Sequence, residues 1–198
     1  MTKTKKTKKE KNIKGIIDFK TRDEAFKELG PKFNYKNIMQ VPVIEKVVVN
    51  CGIGKILGNI DPSKRQKTVS EISEALALIC GQYPQKTSAK KSISSFGVRK
   101  GDVIGLKATL RGRRMQDFLI RLINLALPRT RDFKGILLKS IDAKGNLTIG
   151  IKEHIIFPEV NPEKPPFIFG LEVTVVMKNI HRKGEAIEFY KFLGFPIK

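Results

Sequence analysis

VIGLKATLR, residues 103–111, is the stretch whose reading decides the fold. Ile104, Leu106, Ala108 and Leu110 alternate with Lys107, Thr109 and Arg111. Side chains along a β-strand point to opposite faces at a period of two residues, so this alternation predicts a strand with one greasy face and one basic face. Such a strand stands where a core meets a charged surface.

Working outward, VIEKVVVN (43–50) is rich in β-branched residues and predicts a buried strand that leads into a glycine turn at Cys51–Gly54. Leu147–Lys152 and Leu171–Met177 predict two more strands. Helices are marked by their ends. Thr21 and Glu24 have capping-box spacing before Ala25, Phe26 and Leu29, and Gly30-Pro31 is expected to stop that helix. Asp61 as N-cap, Pro62 at the first position and Gly81 beyond the end bracket a second helix, whose apolar stripe is Val69, Ile72, Leu76 and Ile79. A third carries Met115, Phe118, Leu119, Leu122, Ile123 and Ala126 inward and Arg114, Asp117 and Arg121 outward, with Pro128 as its expected end. A last helix holds Ala186, Ile187, Tyr190 and Leu193 and closes on Gly194. Strands interleaved with a few helices, without strict βαβ repetition, predict an α+β fold: a largely antiparallel sheet with helices packed on one face.

Charge is unevenly placed. The 198-residue chain has 39 Lys and Arg against 19 Asp and Glu, a formal charge of +20, far more than solubility requires. Residues 1–14 hold seven Lys and one Glu, and residues 86–134 hold thirteen basic and three acidic residues, so these two stretches carry sixteen of the twenty charges. Residues 1–14 have almost no apolar content, so they are expected to form a disordered basic tail, and residues 15–198 a single α+β domain. The tail reads as an arm along nucleic-acid phosphates or, more plainly, as a solubilising extension.

KTSAKKSISSFGVRKG (86–101) is polar, basic and punctuated by glycine, which predicts a protruding basic loop between strands. Lys90, Lys91, Arg99 and Lys100, with Ser92, Ser94, Ser95 and Phe96, are residue types that contact phosphate and sugar oxygens and pack on an exposed base. A bare charge run would be a solvated loop. The basic strand face and LRGRR (110–114) nearby favour nucleic acid, although charge alone does not separate RNA from DNA.

Catalytic chemistry finds little support. His154 and His181 are far apart and lack metal-ligand spacing; Cys51 and Cys80 sit in apolar sequence, suggesting neither a disulfide nor a thiolate metal site. GIGKILG (52–58) matches neither GxGxxG nor the P-loop pattern. The chain is therefore expected to be no enzyme and to need no cofactor or metal. No stretch approaches the ~18 consecutive apolar residues of a membrane span, and the Lys-rich start is not followed by an apolar signal core. A soluble cytoplasmic protein is expected, with an organelle as the minor alternative.

Several long blocks carry a family likeness: NIMQVPVIEKVVVNCGIG (37–54), GQYPQKTSAKKSISSFGVRKGDVIGLKATLRGRRM (81–115), RLINLALPRTRDFKG (121–135), GNLTIGIKEHIIFPE (145–159) and LGFP (193–196). In register over roughly residues 30–196, the chain resembles the bacterial-type family of the fifth universal large-subunit ribosomal protein. The resemblance implies an α+β structural constituent of the large ribosomal subunit, placed in the central protuberance among neighbouring ribosomal proteins. It further implies contacts with 5S and 23S ribosomal RNA and peptidyl-site transfer RNA, and a bridge to a small-subunit head protein. On that likeness, Lys90, Lys91, Ser92, Phe96, Arg99 and Lys100 approach the transfer RNA elbow, and Asn37, Gln40, Lys107, Thr109 and Arg111 face ribosomal RNA, where the charge of Arg113 and Arg114 is expected to add phosphate contact. The chain departs from the family at Ser95, where glycine is usual, at Gly97, often basic, and at Arg113, generally Glu. A general nucleic-acid chaperone, an RNA-modifying enzyme and a regulator of messenger RNA are the rival readings.

Overall fold

In the computed structural model, residues 22–131, 133–161, 167–180 and 182–198 are described; the predicted tail, Thr21 of the capping box and His181 lie outside them. Five strands form one antiparallel sheet: β1 (Val43–Gly52), β2 (Gln85–Ser88), β3 (Val103–Leu110), β4 (Leu147–Ile151) and β5 (Leu171–Lys178). Their spatial order is β2-β3-β1-β5-β4. Period-two alternation sends Val47, Val49, Cys51, Leu106, Ala108, Leu110, Leu147, Ile149, Val173 and Val175 to one side, where all are buried.

Helices cover that side. Among the described residues these are α1 (Arg22–Phe33), α2 (Gly54–Gly58), α3 (Pro62–Cys80), α4 (Gly112–Arg121), a widened turn at Leu122–Ala126, α5 (Leu127–Arg129) and α6 (Lys183–Phe192), besides short 3-10 turns. The predicted stripe of α3 is buried throughout, and Gly81 ends the helix in the left-handed conformation at φ 66°. Asp61 holds the N-cap position, but its carboxylate makes no capping bond and lies 3.8 Å from Lys64 Nζ. Tyr190 of α6 reaches under the sheet, its hydroxyl donating to Gly145 O at 2.9 Å.

Five local expectations are corrected. The first helix runs through Gly30-Pro31 to Phe33, because buried Gly30 lies against Phe26 and half-buried Phe33 packs on the core and stacks with Tyr35; tertiary burial outweighs the local stop. The glycine turn after β1 becomes the short helix α2, with Leu57 buried. Pro128 does not end its helix: it follows the widened turn and sits inside α5, where buried Leu127 anchors the chain. Arg121 is not a solvated outward residue. It pairs with Glu159 at 2.6 Å and donates to Ile79 O at 3.0 Å. Ile104 leaves the core stripe and is 36% exposed, in a groove under the loop with Lys55, Lys90 and Ile93.

The C-terminus is tied into the middle of the chain. Ile136 N donates to Pro196 O at 2.7 Å and Lys198 N to Ile136 O at 2.9 Å. His154 is buried against Phe169, the rings 4.0 Å apart and nearly parallel; its Nδ1 accepts from Phe169 N at 3.4 Å. That bond places the ring proton on Nε2.

This packing can be tested at two residues. Gly145 combines φ 79° with a position where a Cβ would stand 2.5 Å from Ile180 Cδ1 and 2.9 Å from Ala186 Cβ. Gly145→Ala should lower stability by about 3 kcal/mol, read as a fall in the urea midpoint. Burial holds the His154 imidazole below its ordinary range. Above about pH 6.5 the ring is neutral in both folded and unfolded chains; below it the unfolded chain takes a proton that the folded one refuses. Stability should therefore fall as pH drops through about 6.5, by up to about 1.4 kcal/mol per pH unit until the folded pKa is passed, and His154→Gln should remove that part of the acid dependence in parallel urea titrations.

Candidate nucleic-acid interface

Among the described residues, no helix is layered on the second face of the sheet. Alternation that buries Val47, Val49 and Cys51 turns Lys46, Val48, Asn50 and Gly52 the other way. On β3 the same logic exposes Lys107 and half-exposes Thr109, and on β5 it presents Glu172, Thr174, Val176 and Lys178. Strand register lines these up in rows. Gln85, Lys107, Asn50, Glu172 and Gly150 form one row, and Thr109, Val48, Thr174 and Thr148 the next.

Lys107 and Thr109 thus form a column on β3, and Arg111, exposed one residue beyond the strand, extends it. Arg113 and Arg114 follow in the first turn of α4, both exposed, with no acidic residue in that turn. Cations at a helix N-terminus oppose the helix dipole. Their placement costs stability and offers charge outward. The ion pairs among the described residues, Lys32–Glu188, Lys64–Asp61, Arg121–Glu159 and Lys191–Glu188, draw on none of these side chains.

Asn37 and Gln40 are exposed in the turn that leads into β1. Asn37 Oδ1 accepts from Met39 N at 3.1 Å and Gln40 Oε1 from Lys36 N at 2.8 Å. Each amide uses its oxygen to shape the turn, which leaves its NH₂ for a partner. The turn is held to the Lys178 end of the sheet by Asn179 Nδ2, which donates to Met39 O at 2.9 Å. That is also the end from which Arg111 emerges.

The basic loop leaves the opposite end. β2 takes up Lys86–Ser88, so the protruding part begins at Ala89, whose N–H donates to Asp102 O at 2.8 Å. Ile93 and Val98 exchange hydrogen bonds of 2.9 and 3.2 Å across the tip, Arg99 N donates to Asp102 Oδ2 at 2.8 Å, and Lys100 N donates to Ser92 Oγ at 2.9 Å. Gly97 and Gly101 take φ values of 60° and 97°, where a side chain is strained. Lys90, Lys91, Ser92, Arg99 and Lys100 are all exposed on this self-bonded hairpin, whereas the Phe96 side chain lies outside the described residues. The loop set and the sheet set are thus two separate surfaces.

Sequence reasoning missed Lys46, Asn50, Gly150 and Glu172, because their coincidence depends on pairing between distant strands. Nothing in the described residues points to catalysis. Burial pushes the Cys51 and Cys80 thiols up to about 12, leaving them protonated. The described residues hold no cluster of three metal-ligating side chains, and no described helix is long and apolar enough to cross a membrane.

Comparison with known proteins agrees with this picture. Residues 37–99 match the family model for ribosomal protein L5, and residues 103–197 match the model for the C-terminus of the same ribosomal family. The first contributes β1 and β2 and the second β3–β5 to the same sheet. The large ribosomal subunit protein uL5 of Halothermothrix orenii is 45% identical over 88% of this chain and 94% of its own length. That of Lacticaseibacillus casei is 47% identical over 86% and 93%, and that of Mycoplasma mycoides subsp. mycoides is 44% identical over 94% and 99%. The chain therefore belongs to the bacterial-type uL5 family, non-enzymatic structural proteins of the large subunit of the cytoplasmic ribosome.

Proposed function

We propose that the uncovered sheet face, continued by Arg111, Arg113, Arg114 and the Asn37–Gln40 turn, binds 5S ribosomal RNA in the central protuberance, with 23S ribosomal RNA alongside. The loop Ala89–Asp102 reaches the peptidyl-site transfer RNA and, beside it, a head protein of the small subunit. Residues 15–198 act as one RNA-binding unit, and the basic tail at residues 1–14 adds phosphate contacts. The carrying observation is the Lys107–Thr109–Arg111 column on a sheet face that no described helix covers, with its cations in none of the ion pairs among the described residues. Cations held this way gain from counterion release on a polyanion, and the neighbouring amides and hydroxyls can read shape and base edges.

The first test is the affinity of the full chain for 5S RNA against a length-matched random RNA across a salt series. The expected result is a large ratio that persists at physiological salt; equal affinities that collapse together would leave a general polyanion binder. Lys107→Ala with Arg111→Ala should weaken 5S binding and flatten the salt slope by about 1.5. A separate variant with Lys90, Lys91, Arg99 and Lys100 all changed to Ala should spare 5S binding while reducing retention of transfer RNA on reconstituted subunits. Equal loss of both would show that the loop had been assigned to the wrong ligand.

A further inference from the structure

Two glycines on the open face have no explanation in the fold. Gly52 of β1 and Gly150 of β4 lie inside or at the end of strands, neither has a positive φ, and a Cβ at either would meet nothing within 4 Å. Glycine weakens a strand and often marks a close approach by a ligand. Their neighbours differ. A Cβ on Gly105 would stand 3.3 Å from Cys51 O, and one on Gly170 3.1 Å from Ile151 O, so packing accounts for both. What Gly52 and Gly150 leave is a bare backbone floor in a shallow, wide-open cleft of about 460 Å³, edged by Asn50, Lys152 and Glu172.

Glu172 is the second anomaly. It is exposed, and it is the one carboxylate among the ladder-paired residues of a face otherwise presenting Lys46, Lys107 and Lys178. A carboxylate repels phosphate and can only accept hydrogen bonds, so on an RNA-binding face its partners are base N–H groups or ribose hydroxyls. Asn50 Nδ2 donates to Glu172 Oε2 at 3.5 Å and stands opposite it in the ladder, which sets the amide's second N–H beside the carboxylate's acceptors. Guanine alone among the RNA bases offers two adjacent donors, N1–H and the N2 amino group, next to an acceptor, O6. Adenine and cytosine set an acceptor beside their amino group, which a carboxylate repels, and uracil flanks its single donor with two acceptors.

We infer that this glycine-floored cleft takes one unpaired guanine of the bound RNA, laid on Gly52 and Gly150, with Glu172 accepting from N1–H and the N2 amino group, Asn50 donating to O6 and Lys152 near the phosphate. The inference rests on the proposed use of the sheet face for RNA and adds a base-reading site to it.

The test uses the full chain and 5S RNA. Glu172→Ala adds net positive charge, so a mere surface carboxylate would bind RNA more tightly once removed; a base acceptor would bind it at least fivefold more weakly. Gly150→Ala should keep or raise the thermal midpoint yet lower RNA affinity at least threefold. Replacing unpaired guanosines one at a time by inosine, which lacks the N2 amino group, should find one position that costs the wild-type chain at least fivefold and Glu172→Ala less than twofold. Unchanged or tighter binding by Glu172→Ala, or no inosine position with that coupling, overturns the guanine site while leaving the RNA face intact. If instead Lys107→Ala with Arg111→Ala also binds 5S RNA as the wild type does, the face itself is not the RNA surface and both readings fall.

Discussion

One-sided burial of an alternating sheet is the constraint on which the molecule depends. Four of the strands give their odd or even residues to a single helical layer, the edge strand β2 being exposed throughout, and the remainder are turned to the opposite side whatever their chemistry. The core half is conventional: valine, leucine and isoleucine under α3 and α4, closed by Tyr190 from below. The other half carries no buried side chain of the core: its described residues are exposed or half-buried. Its residues can be chosen for a ligand, and register then fixes which of them stand side by side.

Electrostatics uses that freedom in a particular way. In an ordinary surface, cations are interspersed with carboxylates and partly neutralised. Here the ion pairs among the described residues sit elsewhere: Glu159 with Arg121, Asp61 with Lys64, and Glu188 between Lys32 and Lys191, which hold its carboxyl below its ordinary range. Arg113 and Arg114 even stand at the positive end of a helix. A surface that keeps cations unpaired, at some cost to the isolated fold, is one whose lowest energy is reached in complex with a polyanion. Membership of a ribosomal family gives that polyanion a place.

Much of this is legible in the chain before any coordinates. The strands at 43, 103, 147 and 171, the long helix between Pro62 and Gly81, and the last helix ending before Gly194 follow from local pattern and capping chemistry. The exceptions share a cause. Pro31 and Pro128 sit within helices because Phe33 and Leu127 are drawn into the core, a gain that single-residue stop signals do not register. Arg121 reads as solvated because Glu159 lies thirty-eight residues away. The site divides the same way. Lys107, Thr109 and Arg111 show themselves by alternation within one strand, whereas Asn50, Glu172 and Gly150 become neighbours only through pairing of β1, β5 and β4, which no local window contains.

Strand order also dictates a timetable. β1 is made early yet lies at the centre of the sheet, between β3 and β5, and β5 begins only at Leu171. As the polypeptide leaves a translating ribosome, β1 holds one unsatisfied edge through the synthesis of more than a hundred residues, and the Ile136–Lys198 tie waits for Lys198 to emerge. Contacts of such long sequence separation fold slowly. A newly made copy therefore spends its first moments with its central strand half open, when unassembled RNA partner and aggregation compete for the same chain.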